Sequence, residues 1–242
     1  MKILKNYALS GLCLFSILQL DASPFIEQII HVLKNNPEHK NDKLMQAIIN
    51  RETEQVKNLA KETDLNGTPF CSVISGSDLE ILKDKARASG DADNAEEANQ
   101  VTSVHTIHTY LSLAILNSEL DKTEAEKKSS LEIIKELLAQ KANPNYPDGA
   151  KHETYGLGGA IFRNEMRDNK SVSIPYEAFH PLLFEAVQHP CRPEILTLLF
   201  EHGANPSAVN EEGQSLLEYA EEMDADELVP VIKQWLKAEK NN

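Results

Sequence analysis

The chain has 242 residues, enough for one large domain or two small ones, and its 41% hydrophobic and 26% charged content excludes a disordered chain or a multi-span membrane protein. Thirty-eight acidic against 24 basic residues give a net charge of -14, which repels nucleic-acid phosphates and anionic lipid headgroups. Three cysteines exclude a disulfide-dense scaffold, and a single Trp with 6% aromatics disfavours a β-rich sandwich.

Residues 1–22 carry the pattern of a secretory signal peptide. Lys2 and Lys5 precede an uncharged apolar stretch, Tyr7–Leu20, and small residues follow at Ala22 and Ser23. The stretch is shorter than the roughly 20 residues a membrane span needs. An N-terminal helix packed on the domain is the alternative, disfavoured because no polar stripe interrupts the run. Export to the periplasm or the exterior is therefore expected, with no membrane attachment after cleavage. Residues 24–40 read as an amphipathic capping helix stopped before Pro37.

From residue 41 to 242 the main signal is internal repetition. Leu131–Asn145 (LEIIKELLAQKANPN) returns as Pro193–Ser207 (PEILTLLFEHGANPS), each a short helix with apolar residues at i, i+3 and i+4. Gly203 supplies a left-handed residue after the second copy, where the first has Lys141. Further helices are expected to open at Asp42-Lys-Leu-Met, Thr68-Pro-Phe-Cys, Thr109-Tyr-Leu-Ser, Pro181-Leu-Leu-Phe and Ser215-Leu-Leu-Glu. Thr or Ser caps such a helix, Pro fits its first turn and Leu enters the core. Three stretches break the spacing and read as insertions: an acidic one near 89–104, a charged one near 119–130, and a long one near 150–179 with Gly156-Leu-Gly-Gly159. The last helix, Leu228–Lys237, contains Pro230, so a kink or a late start is expected there.

These motifs resemble the ankyrin repeat, a β-turn followed by two antiparallel helices with a period of 33 residues. The resemblance runs over about residues 40–238 and is best in the last two repeats. It implies an all-α fold, an ankyrin-type α-solenoid of about five helix-pair repeats with long loop insertions. It also implies a non-catalytic module that binds a protein partner through the concave surface of hairpin tips and inner helices. Where the motif aligns, Glu211, Glu212 and Gln214 lie on the last tip, Tyr146 and Asp148 on the preceding one, and Asn117, Gln188 and His189 end inner helices. Tyr146 is the expected anchor, because aromatic residues at interface centres often dominate affinity.

Chemical motifs are weaker. His105 and His108 would share a face of a helix, but three or four clustered zinc ligands are missing, so neither metal nor cofactor is expected. Cys71 and Cys191 belong to repeats two layers apart, too far for a disulfide, and should be free buried thiols. Gly156–Gly159 lacks the P-loop spacing and its Lys-Ser/Thr. The carboxylates between Glu211 and Glu227 read as a solvated acidic face, or as an electronegative end that meets a basic partner. A monomer without enzymatic activity is expected. A host-directed secreted effector stays open, as does an enzyme or metal-binding protein whose site, with His152, Glu153 and His180, lies in the 150–179 insertion.

Overall fold

The computed structural model describes residues 23–37, 39–66, 70–88, 101–145, 162–167, 170–175, 182–188, 191–210 and 213–239. Residues 1–22, expected to be a signal peptide, lie outside them, as do 89–100, the larger part of one expected insertion, and 150–161, the start of another. The described chain is mostly helical. Helix α1 covers Ser23–Asn35 and buries Ile26, Ile29 and Leu33, a single stripe at three- and four-residue spacing. It fills the place expected of the 24–40 cap and ends two residues before Pro37.

Eight helices then follow as four pairs: α2 (Lys43–Ile49) with α3 (Thr53–Leu59), and, after three elements introduced below, α5 (Tyr110–Ser118) with α6 (Glu124–Ala139), α7 (Leu182–Gln188) with α8 (Pro193–Glu201), and α9 (Leu216–Glu222) with α10 (Val229–Glu239). First helices touch in the order α2, α5, α7, α9, and second helices touch in the order α3, α6, α8, α10. Helix α5 sits between α2 and α7 and is buried at every position from Leu111 to Ser118. Its sequence is mostly apolar, and its buried Ser112, Asn117 and Ser118 side chains all hydrogen-bond to backbone. One continuous apolar core runs from Ile29 to Ile232. Near its far end Phe184 meets Tyr219 at 5.3 Å between ring centroids, joining α7 to α9. Phe200 meets Trp235 at 5.5 Å, joining α8 to α10.

The expected helix openings hold at three places. Asp42 caps α2, its side chain accepting from the Met45 N–H. Thr109 and Ser215 cap α5 and α9 in capping boxes with Ser112 and Glu218. Helix α7 starts at Leu182, and Pro230 falls in the first turn of α10, where its missing N–H is harmless. The opening expected at Thr68-Pro69-Phe70-Cys71 is corrected. Phe70–Ser75 forms strand β1, followed by α4 (Gly76–Ala88) and strand β2 (Val101–His108). The aromatic and β-branched residues of FCSVIS and VTSVHTIH suit a pleated ladder better than a helix.

Strands β3 (Phe162–Arg167) and β4 (Lys170–Pro175) form a hairpin within the 150–179 excursion. All four strands make one antiparallel sheet in the order β1-β2-β3-β4, with Cys71 opposite Ile107 and His105 opposite both Val73 and Phe162. The all-α expectation omitted this sheet, and the second of about five expected helix pairs is a strand–helix–strand unit instead. The stretch 119–130 is corrected as well. Only 119–123 is a connection, and Thr123 with Glu126 forms a capping box that starts α6.

The turns after the second helices share one device. Lys141 and Gly203 take left-handed backbone conformations, φ 69° and 89°, and Ala142 N–H and Ala204 N–H bond back to Leu137 O and Leu199 O. At the end of each turn, an Asn side chain reaches the turn of the next pair. Asn66 donates to Lys141 O at 2.9 Å and accepts from Asn143 N–H at 2.7 Å. Asn145 donates to Gly203 O at 2.7 Å and accepts from Asn205 N–H at 2.8 Å. Each amide thus locks one turn to its successor with both of its polar atoms. Asn145→Ala removes two such bonds and should lower unfolding free energy by about 1–2 kcal/mol in urea titrations, with the m-value unchanged.

Candidate functional site

The eight residues expected to contact a partner do not gather into one described site. Tyr146, Asp148, His189, Glu211 and Glu212 lie outside the described residues, and Gln188 is described only as the last residue of α7. Asn117 is corrected. It is 3% exposed, and its amide donates to Ile48 O at 3.0 Å and Ile49 O at 3.3 Å, so it ties the end of α5 to the end of α2. Gln214 stands at the last tip. Its N–H donates to the Asn210 side chain at 2.9 Å, its amide oxygen accepts from Asn210 at 3.2 Å, and its amide nitrogen donates to Glu222 at 2.6 Å. With Gly213 at φ 75° and a bridge between Val209 and Ser215, the flanks of this tip form a closed turn. Val209, 56% exposed, is an apolar side chain offered to solvent there.

The helical metal pair is corrected too. His105 and His108 lie on β2, and strand positions three apart belong to opposite faces. His108 is 2% exposed, and burial, with a smaller contribution from His39, lowers its pKa to about 3, so it is neutral. Among the described residues no group of three or more His, Cys, Asp and Glu could hold a metal ion. Nor is any described helix long and apolar enough to cross a membrane. Cys191 is a free, buried thiol whose pKa is pushed up, first by burial and then by Glu119, so it is no ready nucleophile. The side chain of Cys71 lies outside the described set.

A charged cluster that the sequence reading missed occupies the connections within three successive pairs. Asp121, with its side chain 1% exposed, follows α5. Its carboxylate accepts from Arg51 Nε at 2.8 Å, from Arg192 at 3.4 Å and from Ser130 Oγ at 3.0 Å. Arg51 closes α2 in a left-handed conformation, φ 60°, and also donates to Asn117 O at 2.9 Å. Arg192 caps α8. One carboxylate therefore joins the α2–α3, α5–α6 and α7–α8 connections. Beside it, burial pushes the Glu119 carboxyl up to about 8, with Arg192 opposing the rise and Asp121 adding to it. A second carboxyl, Glu185 in the apolar first helix α7, is raised to about 7 by burial. Its signal in the sequence is a lone acid inside Leu-Leu-Phe-Glu-Ala-Val. The cluster had no such signal, because Arg51 and Asp121 are 70 residues apart.

No family model matches the chain, and no curated protein shows significant similarity to it. Chemically, the cluster is a staple: a buried anion shared by two cations and a hydroxyl, with no activated nucleophile beside it. Asp121→Asn leaves both arginines without their counter-ion and should cost about 2–4 kcal/mol, given that both are partly exposed. Arg51→Met should cost less, because it removes one arm and leaves Asp121 its other two partners. Chemical denaturation of the three proteins measures the order.

Proposed function

We propose that the chain is an ankyrin-type α-solenoid that binds a protein partner and carries out no chemistry of its own. The observation that carries this reading is the repeated turn-to-turn lock of Asn66 and Asn145, together with first helices stacked on first helices and second on second. Such stacking gives an extended surface of tips and inner helices, on which neighbouring units jointly present side chains. The proposed contacts are the tips, with Tyr146, Asp148, Glu211, Glu212 and Gln214, and the end of α7, with Gln188 and His189. Asn117 is not among them, since its amide holds α2. Val209 joins them as an exposed apolar anchor. The net charge of -14 favours a basic partner. Under this reading residues 1–22 direct export, and the mature chain acts as a monomer in the periplasm or outside the cell.

Photo-crosslinking in the producing cell tests the surface. A crosslinking amino acid replacing Val209 should trap a protein, and the same replacement at Lys128, exposed on the second helix α6, should trap none. Equal trapping at both positions, or none at Val209 in a protein that still unfolds cooperatively, would overturn the tip surface.

A further inference from the structure

Asn66 is followed by Gly67, the sole Asn-Gly step in the sequence. An asparagine amide is open to attack by the backbone nitrogen of the residue after it. That attack is fastest at glycine, which has no side chain to shield its nitrogen and bends most freely. Two conditions govern the reaction in a folded chain: water must reach the amide, and the side-chain carbonyl carbon must be free to turn back along its own backbone. The first is met, because Asn66 is exposed. The second is not met while the turns are locked. The amide nitrogen donates to Lys141 O at 2.9 Å and the amide oxygen accepts from Asn143 N–H at 2.7 Å, so both polar atoms are committed to the turn of the next pair. The Asn66 backbone N–H is held as well, donating to the Asp64 carboxylate at 3.1 Å.

We propose that Asn66 is a deamidation site gated by the turn-to-turn lock: parting of the turns after α3 and α6 frees the amide to react, and the product bars the lock from closing again. The Gly67 nitrogen attacks the Asn66 side-chain carbonyl carbon and forms the new N–C bond of a succinimide ring. The bond from that carbon to the amide nitrogen breaks, and ammonia leaves with the proton given up by Gly67. Water then opens the ring at either carbonyl, giving aspartate or isoaspartate. Nothing is oxidised or reduced, and water is the only co-reactant. In the aspartate product an acceptor-only carboxylate replaces the group that donated to Lys141 O, so oxygen faces oxygen with no proton between them. In the isoaspartate product the main chain itself is lengthened by a methylene within the turn. Asn145 is locked in the same way, to Gly203 O and Asn205 N–H, but precedes Tyr146, whose side chain hinders the attack. The lock thus carries a one-way modification at its first junction and resists it at the second.

Peptide mapping by mass spectrometry, on the full chain held at neutral pH in buffer and in denaturing urea, tests the gate. Conversion at Asn66 should run about tenfold faster or more in urea, where two hydrogen bonds no longer hold the amide, while Asn145 stays unconverted in both. Asn143→Pro removes the N–H that the Asn66 oxygen accepts and should speed conversion in buffer severalfold. The converted protein, separated by its added negative charge, should unfold at lower urea than the unconverted protein. Equal rates at Asn66 in buffer and urea, no conversion in either, a folded Asn143→Pro chain that converts no faster, or a converted protein as stable as the original would overturn the proposal. The comparison of buffer with urea is made in the unaltered chain, so it stands even if the proline variant fails to fold.

Discussion

Among the described residues, no helix pair covers its own apolar side chains alone. Helix α5 makes the constraint plain: all its positions from Leu111 to Ser118 are buried, and the α6 partner alone offers one flank. The other flanks are closed by α2 and α7. At about 25 cal/mol per Å² of apolar surface removed from water, a helix so placed derives most of its stability from its neighbours. Propensity contributes little, since seven- to nine-residue helices are marginal alone. Everything else in the fold follows from keeping one pair against the next at the correct height.

Three polar devices set that height at different places. At the turns after the second helices, Asn66 and Asn145 make the same two bonds to the backbone of the following turn. A backbone-to-amide lock is indifferent to the side chains of the partner turn, which allows Lys141 and Gly203 to occupy equivalent positions. Within the pairs, the Asp121 carboxylate does the opposite and depends on identity, needing Arg51, Arg192 and Ser130. At the start of the helices, Asp42 caps α2 and also accepts from the Tyr110 hydroxyl at 2.8 Å, so the first turns of α2 and α5 are aligned as their last turns are through Asn117. The two helices therefore run parallel. The sheet β1–β4 is built from the two long excursions between pairs and adds a further contact between the first and second of them.

Much of the helical part was legible in the sequence because its signals are local. The capping residues Asp42, Thr109 and Ser215, the paired copies 131–145 and 193–207, and the apolar spacing of α1 are each contained in one helix or turn. The sheet was not legible for the opposite reason. Thr68-Pro69 imitates a helix opening, while the ladder that makes Phe70–Ser75 a strand comes from residues 101–108. The start of α6 was hidden by its charge: ELDKTEAEKKSS reads as a solvated loop unless Thr123 and Glu126 are taken as a capping box. The candidate surface was legible only as far as the tips align with a repeat, and Asn117 shows the risk, since a polar residue ending an inner helix was held by backbone carbonyls. Arg51, Asp121 and Arg192 come together only once the stacking order is known.

The central claim is that stability passes from each pair to its neighbours, and amide hydrogen exchange on Tyr219→Ala tests it most directly. Loss of the Phe184 contact should lower protection most in α7–α10, less in α5–α6 and least in α2–α3. Equal loss of protection in all four pairs would contradict a neighbour-to-neighbour array and describe a single undivided core.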